Sequence, residues 1–154
     1  MTGFVANSPA TTEPDIQNNS FSPDISLSDF RAVMRLDQSI TADRIRHALI
    51  NAINDTNGEL KSWKAEQTTA GHTTLADVPA DQIDGKSIKV QLYIRAVYNA
   101  AKAELVERYR DFDSTLNGSQ RAEEMDETID QYRRQAIIAI RDLIDRPRST
   151  IELI

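Results

Sequence analysis

An all-α fold is predicted by three features of this 154-residue sequence. Three long stretches carry apolar residues at spacings of three and four, which is the period of an amphipathic helix. Glycine and proline, which interrupt helices, occur only 5 times each. Strand-like alternation is confined to the last few residues. We therefore expect a bundle of three long helices plus one short N-terminal helix, with a flexible N-terminal arm and an extended C-terminal tail.

The arm is predicted to cover residues 1–23, which are polar, lack Lys and Arg, and contain three of the prolines. Such a segment cannot bury enough apolar surface to offset its ordering entropy. Folding should begin at Phe21-Ser22-Pro23-Asp24-Ile25. A short helix is then expected from Ser28 to Leu36, with Ser26 or Ser28 as its N-cap.

The first long helix is predicted from Ala42 to Gln67, with Thr41 as its N-cap. A single apolar stripe supports it, formed by Ile45, Leu49, Ile53, Thr56, Leu60 and Trp63. Trp63 is the only tryptophan, and its place on this stripe fits either core packing or contact with a partner. A compact, non-helical connection should follow from Gly71 to Pro79.

The second long helix is predicted from Lys86 to Phe112 and carries the broadest apolar arc of the chain. An arc of that width indicates burial on two sides, so this helix should lie at the centre of the bundle. Asn117-Gly118 interrupts the pattern. Ser119 is the expected N-cap of a third long helix that runs to about Asp145.

Pro147 should end the third helix, because a proline inside a helix removes a hydrogen bond and clashes with the preceding turn. The closing residues Thr150-Ile151-Glu152-Leu153-Ile154 read as an extended tail or edge strand. No other strand is expected in the chain. The tail can therefore dock either on its own subunit or on a neighbouring molecule. The predicted organisation is an arm at 1–23, a helical domain at 24–146 and a tail at 147–154.

Charge and composition exclude several functions. Lys and Arg number 18 against 24 Asp and Glu, which gives a net charge of -6. Proteins that bind DNA through its phosphates normally carry the opposite sign, although an acidic protein can let DNA slide past. The absence of cysteine excludes disulfides, zinc fingers and thiol catalysis. No charge-free stretch approaches the length of a membrane span and no secretory signal is recognisable, so we expect synthesis and use in a reducing cytoplasm without membrane contact.

Three groups of residues resemble catalytic or ligand-binding motifs. Gly85-Lys86-Ser87 resembles the end of a phosphate-binding loop, but Ala80 stands where that loop needs its first glycine. Asp43 and His47 lie one helical turn apart, but two ligands are too few to hold a metal. An acidic cluster could serve a hydrolase, complement a helix dipole or repel DNA, and consists of Glu123, Glu124, Asp126, Glu127 and Asp130. We expect no catalytic residue, no cofactor and no metal.

Several segments, taken in order, carry a family resemblance. They are Phe21–Ile25, Phe30-Arg31, Met34–Asp37, Ala70–Pro79, Lys86-Ser87, Tyr93–Tyr98, Glu107–Asp111, Arg133-Arg134 and Thr150–Ile154. Together they resemble the head-completion protein of contractile-tailed temperate phages (the GpL family) from Phe21 to Ile154. The decapeptide that begins at Ala70 and the C-terminal tail are the most specific parts.

The resemblance implies a structural virion protein of the head–tail neck rather than an enzyme. Members of the family act after DNA packaging, when they bind below the portal, stabilise the filled head and prepare it for tail joining. The family looks related to helical head–tail connector adaptors, which form twelve-fold rings. The implied partners are the portal protein, copies of the same chain in a dodecameric ring and a tail or tail-terminator protein, with DNA passing nearby without sequence-specific binding.

Two sets of residues are expected to carry this role. The interface with the portal or a neighbouring copy is assigned to Phe21, Pro23, Asp24, Thr150, Ile151, Glu152, Leu153 and Ile154. An acidic surface along the DNA channel is assigned to Glu123, Glu124, Asp126 and Glu127. The alternative is a small phage-encoded helical module that binds and regulates a host protein. Copy number distinguishes the two, because the adaptor must be present in finished particles as a ring.

Overall fold

The computed structural model describes residues 13–36, 38–110 and 118–146, with side chains for all of these except 109, 110 and 118–125. Within these ranges the chain is mostly helical, which confirms the predicted all-α class. The helices are α1 Leu27–Val33, α2 Ala42–Glu59, α3 Lys61–Thr69, α4 Ile88–Arg110 and α5 Gly118–Leu143. Between α3 and α4 lie a 3-10 turn, Leu75–Asp77, and a short antiparallel hairpin of β1 Gln82–Ile83 and β2 Lys86–Ser87.

The first two helices begin at side-chain caps that the sequence predicts. The Ser26 hydroxyl accepts a hydrogen bond from the Asp29 amide at 3.4 Å. The Thr41 hydroxyl accepts one from the Arg44 amide at the same distance. Each cap satisfies a backbone N–H that has no partner within its helix, which is typically worth about 1 kcal/mol.

Three helices end in the same turn. The second residue after α1, α3 and α5 adopts a left-handed conformation, at Arg35 (φ 52), Gly71 (φ 100) and Asp145 (φ 56). In each case the next amide donates to the carbonyl five positions earlier, at 2.9–3.1 Å. This is the Schellman motif, which satisfies carbonyls that the helix leaves open. Gly71 adopts the conformation without steric cost, whereas Arg35 and Asp145 carry a Cβ that resists it.

The prediction of one continuous helix from Ala42 to Gln67 is wrong at its middle. α2 ends at Glu59 and α3 begins at Lys61, with Leu60 between them. The Leu60 amide still donates to the Thr56 carbonyl at 3.1 Å, so the break costs little backbone hydrogen bonding. Gly58 is the sequence feature that weakens the helix here, because glycine costs a helix interior about 1 kcal/mol relative to alanine.

α4 lies at the centre of the bundle and contacts both α2 and α5, as its broad apolar arc predicts. Tyr93 and Val97 of this helix are completely buried. Both helices contribute buried alanines outside the main core cluster, namely Ala96 and Ala103 of α4 and Ala136 and Ala139 of α5. Small side chains at a helix contact permit a short interaxial distance, and α4 and α5 form the most extensive helix pair of the described structure.

The prediction of a flexible arm through residue 23 is wrong for residues 13–23, and residues 1–12 lie outside the described residues. Ile16 and Ile25 are buried and form an antiparallel bridge, with N···O distances of 2.8 and 3.0 Å. Between them the Asn19 side-chain oxygen accepts hydrogen bonds from the amides of Phe21 and Ser22. The polar composition misled the prediction because asparagine side chains here bond to the backbone of their own segment and stabilise a turn.

A buried tyrosine fastens this segment to the bundle. The Tyr93 hydroxyl donates to the Asn57 side-chain oxygen at 2.8 Å and accepts from the Asn18 side-chain amide at 2.8 Å. The nearby Tyr98 hydroxyl donates to the Asp29 carboxylate at 2.7 Å. Burial raises the pKa of both tyrosines, and Asp29 raises that of Tyr98 further.

These two tyrosines predict a loss of stability in alkali. The unfolded chain releases the tyrosine protons near pH 10.0, whereas the folded chain retains them at higher pH because both folded pKa values are raised. The contribution of these two tyrosines to the free energy of unfolding is therefore constant below about pH 10 and falls as the pH rises above it. Urea denaturation at several alkaline pH values measures this slope. Tyr98→Phe should reduce the slope, and an unchanged slope in that variant would contradict the assignment.

Candidate interaction surfaces

The segment that resembles a phosphate-binding loop is the turn of the β1–β2 hairpin. Asp84 (φ 53) and Gly85 (φ 69) are both left-handed, as a type I′ hairpin turn requires. The Gln91 side-chain amide donates to the carbonyls of Ile83 and Lys86 at 2.8 and 3.1 Å, which fixes the hairpin on the start of α4. Lys86 and Ser87 thus form a strand that leads into a helix. The hairpin was not predicted from the sequence, although the pair Asp84-Gly85 is typical of a type I′ turn.

Asp43 and His47 line a cavity of about 360 Å³ between the start of α2 and the end of α4. The His47 ring lies 3.9 Å from the Glu104 carboxylate, and its side chain is 61% exposed. Glu104 also pairs with Arg108 at 2.8 Å, so its charge is matched within the subunit. Among the residues with described positions, no group of three or more His, Asp or Glu side chains could hold a metal ion.

The exposed side of α5 changes charge along its length. Asp126, Glu127 and Asp130 are exposed in the first half of the helix, and Arg133 and Arg134 are exposed further on. This order complements the helix dipole, which favours anions near the N-terminus and cations near the C-terminus. Two of the predicted channel residues, Asp126 and Glu127, thus lie at the surface. The side chains of Glu123 and Glu124 lie outside the described part of the chain.

Two segments that carry the family resemblance meet in space. The Phe21 carbonyl accepts a hydrogen bond from the Leu75 amide at 2.8 Å, which joins the N-terminal segment to the decapeptide Ala70–Pro79. Within the decapeptide, Asp77 accepts hydrogen bonds from Thr73 and Thr74. These bonds lower the pKa of the Asp77 carboxyl. A groove of about 610 Å³ runs along this junction and is lined by residues 17–24, 74–76 and 90.

Phe21, Pro23 and Asp24, which the sequence assigns to an interface, differ in accessibility. Phe21 is only 5% exposed and packs edge-on against Trp63, with ring centroids 6.3 Å apart. Its ring therefore packs in the core of its own subunit, and its assignment to an interface stays a prediction. Pro23 is half-buried and Asp24 is exposed. The remaining interface residues, Thr150–Ile154, lie outside the described residues.

The C-terminal end of α5 is held by a buried lysine that the sequence analysis did not single out. The Lys89 ammonium donates to the Leu143 carbonyl at 2.6 Å and to the Asp145 carboxylate at 2.8 Å. It also lies 5.5 Å from the centroid of the Trp63 ring. The Lys89 side chain is 7% exposed, whereas that of Asp145 is 79% exposed. The point at which the chain leaves α5 is thus fixed to α4.

These features define a helical protein whose surface offers grooves and charged faces for contacts with other proteins. The chain belongs to the phage head completion protein (GPL) family, whose model matches residues 16–154. This membership confirms the resemblance deduced from the sequence and identifies a structural phage protein with a head-completion role in the virion.

Two curated relatives agree with this assignment. A head completion/stabilization protein of Escherichia phage P2 is 42% identical over 146 residues, which are 95% of this chain and 86% of the relative. A probable head completion/stabilization protein of Haemophilus phage HP1 is 25% identical over 141 residues, which are 90% of this chain and 91% of the relative. No solved structure matches the chain. Among the helices of the described ranges, none combines the length and apolar character needed to cross a bilayer.

Proposed function

We propose that this protein is a head–tail connector adaptor that binds below the portal after DNA packaging, stabilises the filled head and prepares it for tail joining. Copies of the chain form a ring at the neck, which is dodecameric by family resemblance, and assembly takes place in the host cytoplasm. Membership of the head completion family supports the general role. The exposed Asp126 and Glu127 belong to a surface that lets DNA pass without adhering, and the net charge of -6 is multiplied by every subunit.

The single observation that carries the proposal is the fixed origin of the C-terminal tail. Lys89 holds the end of α5 against α4, so the point from which the chain continues into residues 147–154 is fixed on the subunit. A rigid origin reduces the conformational entropy that an arm loses when it docks. In an extended tail, Ile151 and Leu153 lie on one face and fill pockets of the portal or the next subunit. The exposed Asp24 and half-buried Pro23 contribute a second contact surface beside the decapeptide.

Deleting Thr150–Ile154 tests this proposal. We expect a folded, soluble protein that no longer binds the portal or its neighbour, so that phages carrying the deletion fill their heads and then lose the DNA. Circular dichroism, pull-down with portal and nuclease sensitivity of the packaged DNA measure these three properties. Glu152→Gln is the matched control, because it keeps the apolar side chains and should leave assembly intact.

Two results would contradict the proposal. Unfolding of the truncated chain would place the tail in the core of its own subunit. Absence of the protein from purified particles, measured by quantitative mass spectrometry, would favour the alternative of a module that regulates a host protein.

A further inference from the structure

A groove of about 580 Å³ runs between α3 and the C-terminal end of α5. Its apolar lining consists of Trp63 on α3 and of Ile137, Ile140 and Ile144 at or after the last turns of α5. Trp63, Ile140 and Ile144 pack against the core from one side, and the groove exposes their other side. Ile137 is 53% exposed, which makes it one of the most exposed large aliphatic residues in the described structure.

The groove is distinct from the surface that α5 buries against α4. Ala136, Ala139 and Leu143 are the buried positions of this part of α5. Ile137, Ile140 and Ile144 follow their own spacing of three and four, which places them on a neighbouring face of the helix. A contiguous apolar stripe beyond the core of the subunit marks a surface that another segment covers.

We propose that this groove binds the C-terminal segment Thr150–Ile154 of the same chain while the subunit is free. The chain leaves the described structure at Arg146, which itself lines the groove. Residues 147–154 can span about 26 Å when extended. The apolar lining from Ile137 to Ile144 is only about 10 Å long along the helix axis. The tail is therefore long enough to turn at Pro147 and lie over the groove.

The chemistry of the tail matches that of the groove. In an extended segment Ile151 and Leu153 point to the same side, about 7 Å apart, and can enter the apolar lining together. Glu152 points to the opposite side, away from the lining, so its charge stays in solvent. The polar rim of the groove carries both signs, with Glu59 and Glu66 beside Arg141 and Arg146, so the match rests on the apolar side chains. Covalent attachment adds to this match, because a short tether gives the tail a local concentration in the millimolar range.

This inference deepens the proposed function, since it states where the segment assigned to the portal or a neighbour is held before assembly. Trp63 is the only tryptophan of the sequence, so all tryptophan fluorescence of the protein comes from this one lining residue of the groove. The full-length protein is compared with a full-length Ile151→Asp, Leu153→Asp variant. We expect the variant to show stronger acrylamide quenching and emission at longer wavelength, because the tail no longer covers the indole ring.

A second measurement changes the groove and reports on the tail. Amide hydrogen exchange of residues 150–154, measured by mass spectrometry, should be about tenfold faster in Ile137→Asp, as expected when one buried aliphatic contact is lost. Ile50→Asp is the matched control, because Ile50 is 48% exposed on α2 outside the groove. That variant should leave the exchange of the tail unchanged.

The outcomes separate this inference from the proposed function. If Trp63 in a monomeric sample is shielded from acrylamide to the same extent at every protein concentration, the tail docks within its own chain. If the shielding of Trp63 from acrylamide increases with protein concentration as a dimer forms, the inference is overturned and the groove binds the tail of a second copy. Identical Trp63 quenching in the tail variant would also overturn it, while the proposed function would stand if that variant still failed to bind portal.

Discussion

Replacement of Lys89 by methionine should lower the free energy of unfolding by about 3 kcal/mol, the range expected when a buried carbonyl loses a hydrogen bond to a charged group. Methionine keeps most of the apolar stem, so the loss reports on the ammonium group rather than on a cavity. For a chain of this size the change corresponds to a fall in Tm of roughly 6–12 °C. Urea and thermal denaturation followed by circular dichroism measure both quantities.

Asp145→Asn serves as the control for this substitution. It removes the carboxylate that Lys89 contacts but keeps a residue that tolerates the left-handed conformation. Because the Asp145 side chain is 79% exposed, its ion pair should contribute no more than about 1 kcal/mol. Equal losses in the two variants would show that the stabilisation resides in the exposed ion pair and not in the bond to the Leu143 carbonyl.

Replacement of Tyr93 by phenylalanine should cost about 2 kcal/mol, because it leaves two amide side chains in a partly buried site with unmet hydrogen bonds. The effect should extend beyond global stability. Asn18 belongs to the N-terminal segment, so we expect faster hydrogen exchange at the amides of Ile16 and Ile25, which bridge to each other. Chemical denaturation and exchange measured by nuclear magnetic resonance test the two effects separately.

Tyr98→Phe is the matched control for Tyr93→Phe. Both rings are buried and both hydroxyls donate to a side-chain oxygen. The acceptor of Tyr98 is Asp29, which is exposed and can exchange the lost bond for water. A smaller stability loss and unchanged exchange at Ile16 are expected. If the two variants behaved alike, the Asn18–Tyr93–Asn57 network would have no special role in holding the N-terminal segment.

The helical periodicity of the sequence predicted most of the bundle because burial repeats at the period of the helix. The caps at Ser26 and Thr41, the central position of α4 and the compact connection after Gly71 all follow from local rules. The prediction failed where local and tertiary preferences differ. Residues 13–23 look too polar to fold by themselves, and their order depends on Tyr93, which lies 75 positions after Asn18.

The candidate site was predictable only in part. Family resemblance identified the decapeptide and the segment Phe21–Ile25, but not that Phe21 is occupied by the core. Lys89 escaped notice because a lysine on a helix normally lies at the surface, and its partner Leu143 offers a backbone carbonyl that no sequence pattern marks. The groove also escaped notice, because its isoleucines Ile137, Ile140 and Ile144 repeat at the same helical spacing as the buried positions of α5. From the sequence alone, the apolar face that a helix buries cannot be told from a second apolar face, because the packing of the neighbouring helices decides which one is covered.

The bond between Asn18 and Tyr93 also constrains the order of events during biosynthesis. The ribosome produces the N-terminal segment first, yet Ile16 and Phe21 have no complete hydrophobic environment until α4 has been translated and released from the exit tunnel. The nascent chain therefore carries these apolar residues uncovered well past the midpoint of its synthesis, because α4 ends at Arg110 of 154 residues. Closing such a long loop adds only a small entropic cost to the finished fold, but it makes a segment that is synthesised early wait for α4 before it can pack.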